Sequence, residues 1–124
     1  MKIDKHKLLQ EYTIREILES GLIEYLGCQK GQHRFRCRLC DKRVANYKVL
    51  KFSQYRWIVY HMSRVHPTYY YMLRRRAILR LLEKTTLGES HLDGKLDLKI
   101  LKDLKREGKI ALVKIKKGTV VLLK

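Results

Sequence analysis

Four residues of this chain carry metal-ligand chemistry in two ordered pairs. The segment FRCRLC sets Cys37 and Cys40 with two residues between them, and HMSRVH sets His61 and His66 with four. Two cysteines at that spacing on a strand turn let two thiolates grip one ion, and two histidines near the end of a following helix complete a tetrahedron. Apolar plugs stand where a small site needs them. Phe35 lies two before Cys37, and Ile58 lies three before His61, on the same face of the helix. The competing reading makes the cysteines ordinary buried thiols and the histidines incidental. It must then treat four ligand types in the right order, with matching plugs, as coincidence. A closed sphere of four protein ligands leaves no open position for catalysis, so the role expected of one zinc ion is structural. Such a site contributes about 10–16 kcal/mol, comparable to the whole net stability of a small domain, about 5–15 kcal/mol. A segment as short and basic as 33–66 could hardly fold without it.

Cys28 and His33 are left over. They could be read as a nucleophile and base, or as a second metal pair, but the simpler reading places Cys28 as a small buried residue in a hairpin turn. His6 and His91 are expected to face solvent. Three cysteines is an odd number, and a reducing compartment fits it better than a disulfide framework.

The elements that must position these residues follow from periodicity and punctuation. Residues 4–20 read as an amphipathic helix on Leu8, Leu9, Tyr12, Ile17 and Leu18, stopped by Gly21. LIEYL (22–26) and HRFRCRL (33–39) read as two strands of a hairpin across the turn 27–31. Residues 41–52 read as extended structure with bends. Ser53 caps a helix over 53–66, which Pro67 ends because the residue before a proline avoids helical backbone. A second helix spans about 68–84, with Met72, Leu73, Ile78, Leu79, Leu81 and Leu82 as its apolar face. Residues 85–95 form a loop or short helix. Residues 96–107 form an amphipathic helix, with Leu98, Leu101 and Leu104 on one side and Lys99, Lys102, Lys105 and Arg106 on the other. Residues 109–115 and 119–124 are strands joined at Lys116, Lys117 and Gly118. The run Tyr69–Tyr71 cannot share one helix face, so at least one of the three is exposed or in an interface. The fold class expected is α+β, in three segments: a brace over 1–27, a metal-binding unit over 28–67 and a third unit over 68–124.

Charge narrows the partner. The chain carries 29 Lys+Arg against 12 Asp+Glu, a formal net charge of +17, and its hydrophobic share of 45% is that of a folded protein. A compact fold bearing that much like charge repels itself, and a polyanionic partner is the economical reason to tolerate it. A basic surface kept for solubility or heat tolerance is the alternative. Residues 1–27 hold four basic and five acidic side chains, residues 28–66 ten and one, and residues 67–124 fifteen and six. The two later segments are therefore expected to face phosphate, and the first to brace or to contact protein. Arg34, Arg36, Arg38, Lys42 and Arg43 form a basic strand region suited to phosphate. No stretch approaches the roughly 18–20 apolar residues of a membrane span. No signal-peptide core begins the chain. The expected location is intracellular, in the cytoplasm of a prokaryotic host cell.

With these residues in place, 33–66 resembles the Cys-Cys-His-His zinc finger family. The resemblance implies a ββα-like core, a strand hairpin packed on a helix around one zinc. It departs in one respect: twenty residues separate Cys40 from His61, where the family pattern has about twelve, so the hairpin must lengthen or gain a turn between Asp41 and Phe52. Fingers of this family read DNA with helix residues seven, four and one before the first zinc histidine. Here these are Gln54, Trp57 and Tyr60, with Arg56 beside them. Gln pairs with adenine and Arg with guanine. Trp and Tyr are unusual base readers, which can instead pack on the N-terminal helix or stack on unpaired bases. The segments RRRAILRLLEK, LDLKILKDLKREGKI and IALVKIKKGTVVLL, over 68–124, resemble a winged helix-turn-helix. That implies a recognition helix at 96–107 carrying Lys99, Lys102 and Arg106, with Lys116 and Lys117 at the wing tip. Winged helices also serve as protein-interaction and dimer modules, so a homodimer is an open alternative. The combination is similar to small DNA-binding regulators of viruses and plasmids of thermophilic archaea.

The function expected is a zinc-dependent regulator that binds double-stranded DNA. The competing function is an adaptor whose finger and winged helix bind RNA or protein. An enzyme is not expected, nor is a small-molecule substrate. A metal nuclease needs carboxylate clusters for hard cations, residues 28–66 hold only Asp41, and the acids further on look like ion-pair partners.

Overall fold

A computed structural model describes residues 4–46 and 56–124. The architecture is α+β. Helix α1 (Lys5–Ser20) leads into a three-stranded antiparallel sheet of β1 (Ile23–Gln29), β2 (Gln32–Cys37) and β3 (Arg43–Asn46), in the order β1-β2-β3. Helices α2 (Arg56–Val65) and α3 (Pro67–Leu82) follow, then β4 (Leu87–Gly88), a single 3-10 turn at Glu89–His91, helix α4 (Gly94–Arg106) and the hairpin β5 (Ile110–Ile115) and β6 (Gly118–Leu123). The last three strands form a second antiparallel sheet in the order β4-β6-β5.

Local chemistry explains most of the boundaries. The Asp4 carboxylate accepts the Lys7 N–H at 3.1 Å and caps α1, while Gly21 closes the helix in left-handed backbone, φ 79°, which costs glycine nothing. In the first hairpin Lys30 and Gly31 both have positive φ, 52° and 77°, as a two-residue type I′ turn requires. This turn is shorter than the expected 27–31. Strand β1 therefore runs on to Gln29 through a register shift between Tyr25 and Gly27, and it carries Cys28 with it. Cys28 is exposed, not buried in a turn: the tight turn leaves it on the strand. Pro67 both ends α2 and opens α3, where its missing N–H is not needed. Strand β3 supplies part of the length between Asp41 and Phe52. The rest of that stretch, with the expected cap Ser53 and the expected base reader Gln54, lies outside the described residues.

Two apolar cores share α1 and α3. One gathers Ile14 and Ile17 of α1, Ile23, Phe35, Cys37, Ile58 and Met62, with Tyr70 and Leu73 of α3. The other gathers Leu9 of α1, Ala77, Ile78, Leu81 and Leu82 of α3, Leu87, Ile100, Leu101, Leu104, Ile110 and Val121. Between them lies a buried ion pair. Arg74 of α3, 2% exposed, donates to both Asp97 oxygens of α4 at 2.9 and 2.8 Å and to the Thr13 hydroxyl of α1 at 2.8 Å. Asp97 also accepts the Asp93 N–H at 2.7 Å. This corrects the expected face of α4. Leu98 is half exposed, and the buried positions are Asp97, Ile100, Leu101 and Leu104. Met72 is likewise exposed. Of the three tyrosines, Tyr70 is buried and Tyr69 exposed, while the hydroxyl of half-buried Tyr71 donates to Asp103 on α4. His91 does not simply face water, because its Nδ1 accepts the Gly88 N–H at 2.9 Å and pins the 3-10 turn.

A candidate metal centre and the basic surface around it

Cys37 ends β2, and the chain turns back through Arg38, Leu39 and Cys40. The turn is closed by backbone bonds, Asp41 N–H to Cys37 C=O at 2.7 Å and Cys37 N–H to Lys42 C=O at 2.8 Å. Asp41 takes left-handed backbone, φ 62°, which Asp tolerates better than most residues. Arg38 N–H bonds Leu22 C=O at 2.9 Å and ties the turn to the start of the sheet. Phe35 and Ile58, each 1% exposed, meet in the core behind it. Cutting a buried phenylalanine of this kind to alanine costs about 3–5 kcal/mol.

Opposite the turn, His61 sits on α2 and His66 at the break before Pro67. The four ligand atoms of Cys37, Cys40, His61 and His66 all lie within 4.8 Å of one another. Cys37 Sγ is 3.4 Å from His66 Nε2, and Cys40 Sγ is 3.3 Å from His61 Nε2. A tetrahedral ion bound at ordinary Zn–S and Zn–N lengths holds such atoms about 3.6 Å apart. The four residues are thus placed to hold one metal ion, and two sulfurs with two nitrogens suit zinc. Cys37 is fully buried and His61 nearly so, whereas Cys40 is exposed, so the site is open on one side only.

Electrostatics fit a cation. Burial pushes the Cys37 thiol up, against backbone N–H groups of Cys40 and Leu39 that favour its thiolate. A divalent ion overrides the burial and deprotonates the thiol outright. Burial pushes His61 down, helped by the charges of His66 and Lys42. The neutral imidazole that results is the ligand form. Trp57 stacks on the His61 ring and shields it.

The cationic residues expected to face phosphate fall mainly into three groups, around the first sheet, on α4 and between β5 and β6. Arg34, Arg38, Lys42 and Arg43 are exposed around the first sheet. Arg36 is half-buried and held by Glu24 at 3.1 Å and Asp41 at 3.3 Å. Lys99, Lys102 and Arg106 are exposed on α4, with Arg106 bound to Asp103 at 2.8 Å and the Lys99 ammonium 5.7 Å from the Tyr71 ring centre. Lys116 and Lys117 are exposed between β5 and β6. Tyr60 is 61% exposed, with the Arg64 guanidinium over its ring. Arg56 lies in α2. Sequence reasoning did not anticipate the positioning role of Arg74 and Asp97. Both look like ordinary surface charges in a basic helix pair, and no spacing links them. Among the described residues no helix is long and apolar enough to cross a membrane.

No protein-family profile, curated protein or solved structure matches the chain, so its site is read from geometry and chemistry alone.

Proposed function

We propose that this protein is a zinc-stabilised, double-stranded DNA-binding regulator. The observation that carries the reading is how the acids are used. Glu24 binds Arg36 and Arg38, Glu16 and Glu19 bind Arg80, Asp97 binds Arg74, and Glu107 binds Arg75. Among the described residues, exposed Arg34, Lys42, Arg43, Lys102, Lys116 and Lys117 enter no such pair. Glu16 and Asp97 are buried, the other acids tie down arginines nearer the surface, and the remaining cations are left for a polyanion. The order β4-β6-β5, with α4 ahead of the final hairpin, supports a winged-helix reading of 68–124. The metal centre between a hairpin and α2 supports a zinc-finger reading of 33–66.

The deciding experiment is a fluorescence-anisotropy titration of duplex DNA, single-stranded DNA and structured RNA against the zinc-loaded protein at several salt concentrations. Duplex should win. Its affinity should fall with salt at a slope near −0.9 per phosphate contacted, for about five to eight contacts. A flat salt response ends the phosphate model, and a preference for RNA selects the adaptor. The adaptor has one observation in its favour: Trp57 lies against His61, and Tyr60, Val65, Tyr69 and Met72 are exposed apolar side chains on the adjoining helices.

A further inference from the structure

The first sheet has one face in the core and one face turned outward. Phe35 and Cys37 of β2 are buried, so Gln32, Arg34 and Arg36, which alternate with them, share the opposite face. The register extends that face in rows across the strands. Arg36 lies between Glu24 and Arg43, Arg34 between Gly27 and Ala45, and Gln32 beside Gln29. Arg36 is taken up by Glu24 and Asp41. Arg34 is exposed and, among the described residues, enters no ion pair. Its cross-strand partners are a glycine and an alanine, so neither fills the space above the sheet there. The register shift adds exposed Leu26 to β1 beside Gly27, and such a bulge bends the strand and raises its twist. The one acid of this face, Glu24, is already bound by Arg36 and Arg38, so no free carboxylate would oppose a polyanion laid on it.

Side-chain chemistry sets this face apart from the other basic surfaces. Arginine and glutamine pair in bidentate fashion with the edges of guanine and adenine. The exposed cations Lys102, Lys116 and Lys117 of α4 and the β5–β6 turn are lysines, compact point charges suited to phosphate. On α2, Trp57 is stacked on His61 and Tyr60 lies under the Arg64 guanidinium. We propose, resting on the DNA reading above, that the outer face of the first sheet enters the major groove of duplex DNA and reads its base edges, with Arg34 on a guanine and Gln32 on an adenine. The groove is about 12 Å wide and admits a two-stranded ribbon. Strands β1 and β2, joined by the tight turn at Lys30 and Gly31, form such a ribbon. Strand β3 then runs along the groove wall, where Arg43 meets phosphate. Arg34 and Gln32 stand about 6.8 Å apart along β2, within about two base-pair steps of a duplex that rises 3.4 Å per step. The preferred site should therefore hold a guanine and an adenine within that distance.

The test uses the zinc-loaded full chain, a preferred duplex selected with it from a random library, and an unrelated duplex of equal length. Arg34→Ala and Gln32→Ala should each lower the preference for the selected duplex about tenfold. Arg43→Ala should weaken both duplexes alike, because a phosphate contact carries no sequence. Circular dichroism and zinc content of the three variants should match those of the wild type. Replacing the guanines of the selected duplex one at a time by 7-deazaguanine, which lacks the N7 acceptor, should cost the wild type about tenfold at one position and Arg34→Ala nothing there. Substitution with 7-deazaadenine should single out Gln32→Ala in the same way. An RNA duplex of the same sequence should bind without preference, since its major groove is too narrow to read. Equal losses on both DNA duplexes for Arg34→Ala and Gln32→Ala overturn the proposal and leave the DNA reading standing. So does a wild type that tolerates every 7-deaza base or that binds all duplexes alike. Failure to bind any duplex overturns both.

Discussion

The indole of Trp57 lies flat against the imidazole of His61, ring centroids 4.9 Å apart and planes 13° from parallel. Trp57 is the only tryptophan of the chain, so its emission reports on the metal centre. Adding zinc to metal-free protein should shift that emission, restore the helical signal of α2 and saturate at one ion per chain. Cys37→Ser should abolish both responses, since a thiol ligand and a buried anchor of the first core are the same side chain. Chelation should remove a large part of the stability, given the roughly 10–16 kcal/mol such sites contribute. A protein that keeps its melting temperature and its emission without metal refutes the site.

Arg74 offers a test of how the two cores are joined. Its guanidinium is fully buried and satisfied by Asp97 and Thr13. Arg74→Ala should therefore destabilise the protein by about 3–5 kcal/mol, because it leaves the Asp97 carboxylate buried without its counter-charge, held only by the Asp93 N–H. The double change Arg74→Met with Asp97→Leu should recover much of that loss, since packed apolar residues often replace a buried ion pair at little cost. Urea denaturation of the three proteins measures it. A single variant costing under about 1 kcal/mol would mean that the pair is wetter than its geometry implies.

The Arg75–Glu107 pair links α3 to the end of α4 and gives a pH dependence. Arg75 beside Glu107 holds the carboxylate down at about 2, from an ordinary value of 4.5. A depressed carboxylate means that the unfolded chain takes the proton first as acid is added. The contribution is complete above about pH 4.5 and is lost as pH falls toward 2. Melting temperatures of the wild type and Glu107→Gln should therefore differ at neutral pH and converge on acidification. Acid also protonates metal ligands, but it does so in both proteins and cancels in the difference. Parallel profiles would show that the pair adds nothing. The effect is small, because Glu107 is solvent-exposed.

The ligand set was legible in the sequence because metal chemistry imposes residue type, order and spacing together. The plugs Phe35 and Ile58 were legible for the same reason, since a small site can bury little else. Strand ends were less legible. The Lys30–Gly31 turn is two residues long, and sequence could not separate it from a five-residue one, which moved Cys28 from a turn to an exposed strand. The face of α4 was misjudged because apolar periodicity favours Leu98 over Asp97. Only the tertiary partner, Arg74, reverses that choice. The Glu89–His91 turn falls within the loop or short helix expected over 85–95, but strand β4 was invisible, because two residues of pairing leave no periodic trace.

Substitutions in three places separate the ways this surface could read DNA. The comparison needs a preferred duplex, obtained by selection from a random library, and an unrelated duplex of equal length. If α2 enters the major groove, Gln54→Ala and Arg56→Ala should cost about 1–3 kcal/mol on the preferred duplex and little on the other, because base edges carry the sequence. If the β5–β6 tip holds backbone, Lys116→Ala with Lys117→Ala should weaken both duplexes about equally and flatten the salt slope by about two contacts. Lys99→Ala and Lys102→Ala on α4 decide between the halves. Loss of discrimination there makes α4 the reader and the metal-centred unit a brace. An equal loss on both duplexes makes α4 a phosphate contact. If none of the three sets changes duplex affinity, the free cations serve another polyanion, and the DNA reading fails.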